Sequence, residues 1–301
     1  METLERFQGC LLGLAVGDAV GTTVEFRPRG SFPPVTDMVG GGPFGLEPGQ
    51  WTDDTSMALC LATSLVECDG FDPLDQMQRY GRWAEEGYLS STGRCFDIGN
   101  TVSQALGQFR QTGEPFSGST DPRSAGNGCL MRLAPVPMFY YPDVAKVVWF
   151  SGESSRTTHA AQECIEASRL FGTMLARALA GADREEILTN HDDLGLETDT
   201  LQTIAAGQYQ NLDIHQIRGS GYVVESLTAA LWCFWRTTTY AEAILAAVNL
   251  GDDADTTAAI CGQLAGAYYG LSGIPQSWRD RVTDRETLLT LASQLYQTQV
   301  P

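Results

Sequence analysis

Gly251-Asp252-Asp253-Ala254-Asp255-Thr256-Thr257-Ala258-Ala259-Ile260-Cys261-Gly262-Gln263-Leu264-Ala265-Gly266-Ala267-Tyr268-Tyr269-Gly270 reads as a helix over Thr256 to Tyr269. Carboxylates open it, an apolar pattern runs through it, and Gly270 is placed to stop it. The same grammar recurs far upstream. Gln50-Trp51-Thr52-Asp53-Asp54-Thr55-Ser56 leads into an apolar helical pattern over Thr55 to Val66. Leu4, Phe7, Leu11, Leu14 and Ala15 recur at helical spacing, and Cys164 to Leu179 and Val223 to Trp235 add two more such runs. Alternating strand patterns are rare. The expected fold is therefore all-α, a compact single-domain orthogonal helical globule over residues 1–301. Two irregular stretches interrupt it. One, Arg27 to Gln50, is rich in Gly and Pro and ends at the first acidic cluster; a loop of that length in a compact domain is usually functional or mobile. The other is a polar stretch from Gly113 to Asn127.

Composition narrows the function. The chain is 43% apolar and 19% charged, enough for a sizeable core without disulfide support. The 8 cysteines are scattered with no CxxC pair, and 3 histidines do not complete a zinc framework, so buried reduced thiols in a cytoplasmic protein are expected. The N-terminal run Cys10 to Val16 follows Glu2 and Glu5, is interrupted by Asp18, and is too short to cross a bilayer; no other stretch approaches that length. A net charge of −18 repels phosphate backbones, which argues against nucleic acid as a partner.

Each acidic cluster alone reads as a helix cap, since Thr, Asp and Ser accept orphan N–H groups of a first turn. Three carboxylates in the four residues Asp252 to Asp255 are more than a cap needs, and their mutual repulsion would raise their pKa values unless a cation is present. If the two helices pack side by side, four or five carboxylates and two threonine hydroxyls converge. Hard oxygen donors of this kind suit Mg²⁺, Mn²⁺ or Ca²⁺ rather than zinc or copper. The spacing fits neither an EF-hand nor a Walker loop.

The remaining motifs carry a resemblance. They are Gly13-Leu14-Ala15-Val16-Gly17-Asp18-Ala19-Val20-Gly21 with Val24-Glu25-Phe26, Gly126-Asn127-Gly128 with Met131-Arg132, Thr158-His159, and Arg218-Gly219 followed by Tyr222-Val223-Val224. Together with the two acidic clusters, and in this order, they resemble the ADP-ribosylglycohydrolase family, and within it the dinitrogenase-reductase-activating branch. Asp252 stands where that family often carries glycine. The resemblance implies a binuclear Mg²⁺ or Mn²⁺ centre held by Thr52, Asp53, Asp54, Asp253, Asp255 and Thr256. It implies hydrolysis of the bond between ADP-ribose C1″ and an acceptor side chain, arginine in the nearest relatives. Asp97, Glu25 and Asp54 form the candidate catalytic set, with Asp97 first and Glu25 second for the acid/base or guanidinium-binding role. Glu25, Asp97, Gly99, Asn100, Asn127, Gly128, Met131, His159, Gly221 and Tyr222 are the candidate substrate contacts. The diphosphate is expected on backbone N–H groups around Gly126-Asn127-Gly128, and Tyr222 either stacks near the adenosine or packs in the core. The expected partners are an ADP-ribosylated protein and free ADP-ribose, with no membrane and a monomeric state.

Two other readings stay open on sequence. His191-Asp192 offers the pair of an all-α metal phosphohydrolase, for which only His159 and His215 remain as further histidines. The same fold also serves a non-catalytic ADP-ribose reader or structural protein. Within the enzyme reading, serine-linked or small ADP-ribosyl conjugates compete with arginine.

Overall fold

The computed structural model describes residues 1–298, apart from the side chain of Asp192. Its first half holds α1 (Thr3–Gly21), α2 (Asp53–Glu67), α3 (Pro73–Glu86), α4 (Asn100–Thr112), α5 (Pro135–Tyr140), α6 (Val144–Arg156) and α7 (Gln162–Ala180). The second half holds α8 (Arg184–Leu188), α9 (Asp199–Ala205), α10 (Val223–Arg236), α11 (Tyr240–Val248), α12 (Ala254–Tyr269), α13 (Gln276–Arg281) and α14 (Arg285–Gln297). Short 3-10 turns join them, and the described residues contain no strand, only isolated bridges such as Gly126 with Tyr222. The all-α expectation holds, and the five expected helices are α1, α2, α7, α10 and α12, each extended by a residue or more at one or both ends.

Helix α3 shows the local logic of those that apolar runs do not announce. Asp72 accepts from the N–H groups of Leu74 and Asp75, Pro73 starts the helix, and Gly87 at φ 71° ends it. The long Gly- and Pro-rich stretch is tied down from Val35 onward rather than loose. Gly41 and Leu46 bridge, Val35 pairs with Asn249, and Asp37 accepts from Trp278 and Arg281.

The central feature is the contact of α1 with α12. Gly9, Gly13, Gly17 and Gly21 form one stripe along α1, and they meet Gly266, Gly262, Ala258 and Asp255 of α12. The backbones touch. A Cβ on Gly17 would lie 2.2 Å from the Ala258 carbonyl oxygen, and one on Gly21 would lie 2.4 Å from the Asp255 Cα. The other faces of α1 carry Phe7, Leu11, Leu12 and Leu14, all fully buried; a buried Leu contributes about 1.5–3 kcal/mol. The expectation that no segment reaches membrane-spanning length needs correction. Thr3–Val24 is long and apolar enough by length and composition, because the helix runs on past the apolar run through small residues. It is 89% buried inside the molecule, so packing against neighbouring helices accounts for its hydropathy.

This contact gives a test by sign. Helix propensity alone makes Gly17→Ala stabilising by about 1 kcal/mol. Overpacking against a backbone carbonyl makes it destabilising, by about 3 kcal/mol. Urea unfolding is expected to show the loss; a higher midpoint for the variant would mean that the helices are not in backbone contact.

Candidate functional site

The stripe brings three helix ends together. The C-terminal turns of α1 lie against the first turn of α12, and Asp18 of α1 reaches the first turn of α2. Its Oδ1 accepts from the Thr52 N–H and hydroxyl, both at 2.9 Å. Its Oδ2 accepts from the Thr55 N–H at 3.1 Å and hydroxyl at 2.6 Å. Asp18 thus caps α2 from another helix. Neither Thr52 nor Asp53, nor Asp253 at the start of α12, makes a side-chain cap of its own helix.

That answers the cap reading of the first cluster; in the second, Asp255 accepts the Thr256 N–H of its own first turn at 2.8 Å. The two clusters face each other: the Thr256 hydroxyl donates to Asp54 at 3.3 Å, and Thr52 Oγ1 lies 3.5 Å from Asp255. Asp53, Asp54 and Asp255 are buried and Asp253 is partly buried, and each carboxyl is held above its usual range, first by burial. Neighbouring carboxylates push further in the same direction. Asp54 Oδ2 and Glu25 Oε2 are buried with no hydrogen-bond partner. Such a group costs free energy unless something pairs with it.

Glu25 and Asp97 join this centre from two loops. One oxygen each of Glu25, Asp97 and Asp255 lies within 4.8 Å of the others. Burial, then Asp97, pushes Glu25 up to about 9. Burial, then Asp253, pushes Asp97 to about 7. The sequence reading gave these two a catalytic or substrate-binding role, with a place near the metals as the alternative for Glu25; the geometry puts both within reach of a shared cation with Asp255. The backbone is strained there. Phe26, Asp97 and Asp252 take φ of 62°, 59° and 59°, a region costly for non-glycine residues. A pair of backbone hydrogen bonds, Phe26 N–H to Asp252 O at 2.7 Å and Asp252 N–H to Arg27 O at 2.8 Å, ties the Glu25 loop to the acidic loop. The φ of Asp252 also explains why glycine suits that position.

The centre opens on a cleft of about 470 Å³. Glu25, Asp97, Gly99, Asn100, Asn127, Gly128, Met131, His159 and Gly221 all line it, with Asp53, Asp253 and Thr256. Thr52, Asp54 and Asp255 sit behind these, nearly or fully buried. An adjoining depression shares Thr101, Gly126 and Gly221 with the cleft and adds Arg123, Glu163 and Tyr222. Tyr222 is 36% exposed and donates to Glu163 at 2.7 Å, so it is a rim residue and not a core one.

One expected contact is corrected. The Gly126 N–H already donates to Ser124 O and the Asn127 N–H to Gly221 O, at 2.7 and 3.0 Å. Two of the three amides expected to cradle a diphosphate are therefore engaged in the Gly126–Tyr222 bridge region. The Asn127 side chain instead donates to Asp253 at 2.8 Å and orients it. The first turn of α4 is the better anion-facing helix end: its cap residue Gly99 offers no side chain, and Gly99, Asn100 and Thr101 face the cleft. The three histidines do not converge. His159 lines the cleft, His191 is buried with Nε2 3.0 Å from the Ile187 carbonyl, and His215 is exposed beside Asp213. The Asp192 side chain proposed to pair with His191 lies outside the described residues. Sequence reading missed Asp18 and the glycine stripe. A carboxylate inside an apolar helix and glycines at every fourth position were the available signals.

The carboxylate shifts have a measurable consequence. With the cluster free of cations, Glu25 and Asp97 titrate higher in the folded state than the ordinary carboxylate value of about 4. The folded state then binds more protons than the unfolded, so stability is lost as pH rises through those values. His159, pushed down to about 3 by burial and Arg132, is neutral in both states above pH 7 and does not interfere. The melting temperature of chelator-treated protein is expected to fall between pH 7 and 9, and added Mn²⁺ or Mg²⁺ is expected to restore it by mass action. A flat profile unaffected by either ion would rule out the carboxylate cluster as an ion site.

Residues 1–301 match the family described as ADP-ribosylglycohydrolase. The ADP-ribosylarginine hydrolase Tri1 of Serratia proteamaculans (strain 568) is 44% identical over 98% of this chain and 80% of that protein. The protein of the same name from Pseudomonas putida (strain GB-1) is 46% identical over 98% and 79%. The ADP-ribosyl-[dinitrogen reductase] glycohydrolase of Rhodospirillum rubrum is 32% identical over 92% and 90%. A solved structure described as an ADP-ribosylglycohydrolase-related protein complex superposes with a TM-score of 0.89 at 42% identity, covering 99% of each chain.

Proposed function

The chain belongs to the ADP-ribosylglycohydrolase family, and from that premise we propose that it is a metal-dependent hydrolase that removes ADP-ribose from arginine side chains of modified proteins, cleaving the N-glycosidic bond at ribose C1″. The observation that carries this reading is the convergence of Glu25, Asp97 and Asp255 oxygens within 4.8 Å of one another beside the cleft. Arginine as acceptor is supported by the names of the two relatives at 44% and 46% identity.

The donor set fits hard divalent cations, Mg²⁺ or Mn²⁺, since every candidate ligand is an oxygen and two buried oxygens lack partners. Thr52, Asp53, Asp54, Asp253, Asp255 and Thr256 would hold two such ions, with Glu25 and Asp97 beside them. Bound there, they would supply positive charge near the ribose and would acidify water. The chain's own groups do the rest. Asp18 and Asn127 hold Thr52 and Asp253 in place. Glycosidic cleavage builds positive charge on the ribose, which the surrounding carboxylates stabilise. A neutral guanidine is a strong base and leaves as its conjugate acid. Asp97, lining the cleft, is placed to deliver that proton. Glu25, 3% exposed, is the second candidate. Asp54 is buried behind both, which supports an ion-holding rather than a proton-delivering role. The first turn of α4 and the His159 ring supply neutral donors for the diphosphate, and Tyr222 borders the far depression.

We read the protein as a single-domain cytoplasmic monomer; a core running from Phe7 to Leu295 supports the single domain, and eight free thiols suit a reducing compartment. The test is release of ADP-ribose from arginine-linked and serine-linked peptides, each with Mg²⁺, Mn²⁺ or chelator. Metal-dependent release from arginine alone is expected. Release from serine alone would change the acceptor, and release from neither, with ADP-ribose still bound, would make the protein a reader.

A further inference from the structure

Arg132 is a buried cation that the cleft chemistry leaves unexplained. It is fully buried, and its Nε has no partner. No carboxylate pairs with it among the described residues; its guanidinium lies 4.8 Å from the Tyr80 ring centre, and Nη1 is 3.9 Å from the Met57 sulfur. Its one short hydrogen bond runs from Nη2 to Thr158 Oγ1 at 2.5 Å. Thr158 Oγ1 is in turn 2.8 Å from His159 Nδ1.

The direction of this chain follows from what each group can do. A guanidinium only donates, so Thr158 Oγ1 accepts from Arg132. The hydroxyl proton is then free to point at Nδ1, and an oxygen already polarised by a cation is a better donor. Nδ1 therefore accepts, and the single proton of the neutral ring sits on Nε2. Protonating the ring as well would place a second positive charge next to Arg132 in a buried site, and burial and Arg132 both hold His159 down, to about 3. Nε2 has no hydrogen-bond partner among the described residues and faces the cleft past Gly126 and Gly128. A Cβ on Gly126 would sit 3.3 Å from Nε2, and one on Gly128 2.8 Å from Cε1. The two glycines leave the ring edge open.

We propose that Arg132 and Thr158 are positioning residues that lock His159 as the Nε2–H tautomer and aim that N–H into the cleft, where it donates to a diphosphate oxygen of the substrate. The acceptor rests on the hydrolase reading; the tautomer does not. The arrangement provides a neutral donor whose protonation does not change with pH across the physiological range, in a protein whose net charge is −18.

Two-bond ¹H–¹⁵N correlation of the histidine rings in the substrate-free protein reads the tautomer directly. Wild type is expected to show His159 protonated at Nε2 only. Thr158→Val keeps the shape but removes the relay, and it is expected to mix the tautomers and weaken ADP-ribose binding about tenfold, or about 1.4 kcal/mol. Thr158→Ser is expected to restore both. Arg132→Met is expected to mix the tautomers too, by removing the donor to Thr158. An Nδ1–H ring or an imidazolium in wild type at pH 7 would overturn the proposal, as would a Thr158→Val protein that keeps the pure tautomer and full affinity. A locked tautomer in a wild-type protein that binds no ADP-ribose would overturn the diphosphate acceptor along with the hydrolase reading, and leave the lock standing.

Discussion

Asp255→Ala is expected to lose nearly all turnover, with kcat/KM reduced by about 10³-fold or more, since several kcal/mol of charge stabilisation would disappear. Asp255 links the two loop carboxylates to the start of α2. One of its oxygens is within 4.8 Å of Glu25 and Asp97 oxygens, its Oδ2 is 3.5 Å from Thr52 Oγ1, and it lies on the first turn of α12 against Gly21. The same substitution removes a buried carboxyl whose pKa is raised by burial and by Glu25 and Asp54. Without added metal, the variant is therefore expected to melt at or above the wild-type temperature, because like-charge repulsion is relieved. With Mn²⁺ or Mg²⁺, the wild-type gain in melting temperature is expected to vanish. Function and metal-free stability thus move in opposite directions, as they do where a site is built at the expense of the fold. A variant that stays active in chelated buffer, or one that simply unfolds, would be inconsistent with Asp255 as the shared ligand.

Asp97→Asn is expected to lower kcat by about 10²–10⁴-fold, the range for loss of a positioned proton donor. An amide keeps an oxygen where the carboxylate had one but gives no proton to a leaving guanidine. Asp97 stands within ligand distance of Glu25 and Asp255, so Asp97→Ala is expected to shift the metal concentration for half-activation as well as kcat. Asp97→Asn should change kcat far more than that midpoint. Glu25→Gln is the comparator: if it removes turnover while Asp97→Asn retains it, the proton-delivering role passes to Glu25. Equal turnover of Asp97→Asn and wild type would take Asp97 out of the chemistry.

Much of this was legible without coordinates because it is local. Apolar spacing of 3.6 residues marks a helix wherever it occurs, and α1, α2, α7, α10 and α12 follow from it. Helices such as α3 and α4 escaped because their exposed faces break up the apolar run, although the Asp72-Pro73 start and the Gly87 stop were present. The ligand chemistry was legible too, since Asp and Thr oxygens narrow the choice of ion before any geometry is known.

What the sequence by itself determined is therefore the helices, the acidic chemistry at two of their starts and, through ordered motifs, the family. Only the tertiary structure decided where those oxygens point. Thr52 and Asp54 meet residues some 200 positions away because the α1 glycines let α12 approach to backbone contact. Asp18 caps α2 from a separate helix and so frees the cluster that looked like a cap. Strained turns at Phe26 and Asp97 bring two loop carboxylates to the same centre, and the Gly126 and Asn127 amides are engaged before any ligand arrives. The physical reason is the same in each case. Propensity and periodicity act over a few residues, whereas a hydrogen bond or a shared cation depends on side-chain direction and on a partner that only packing supplies.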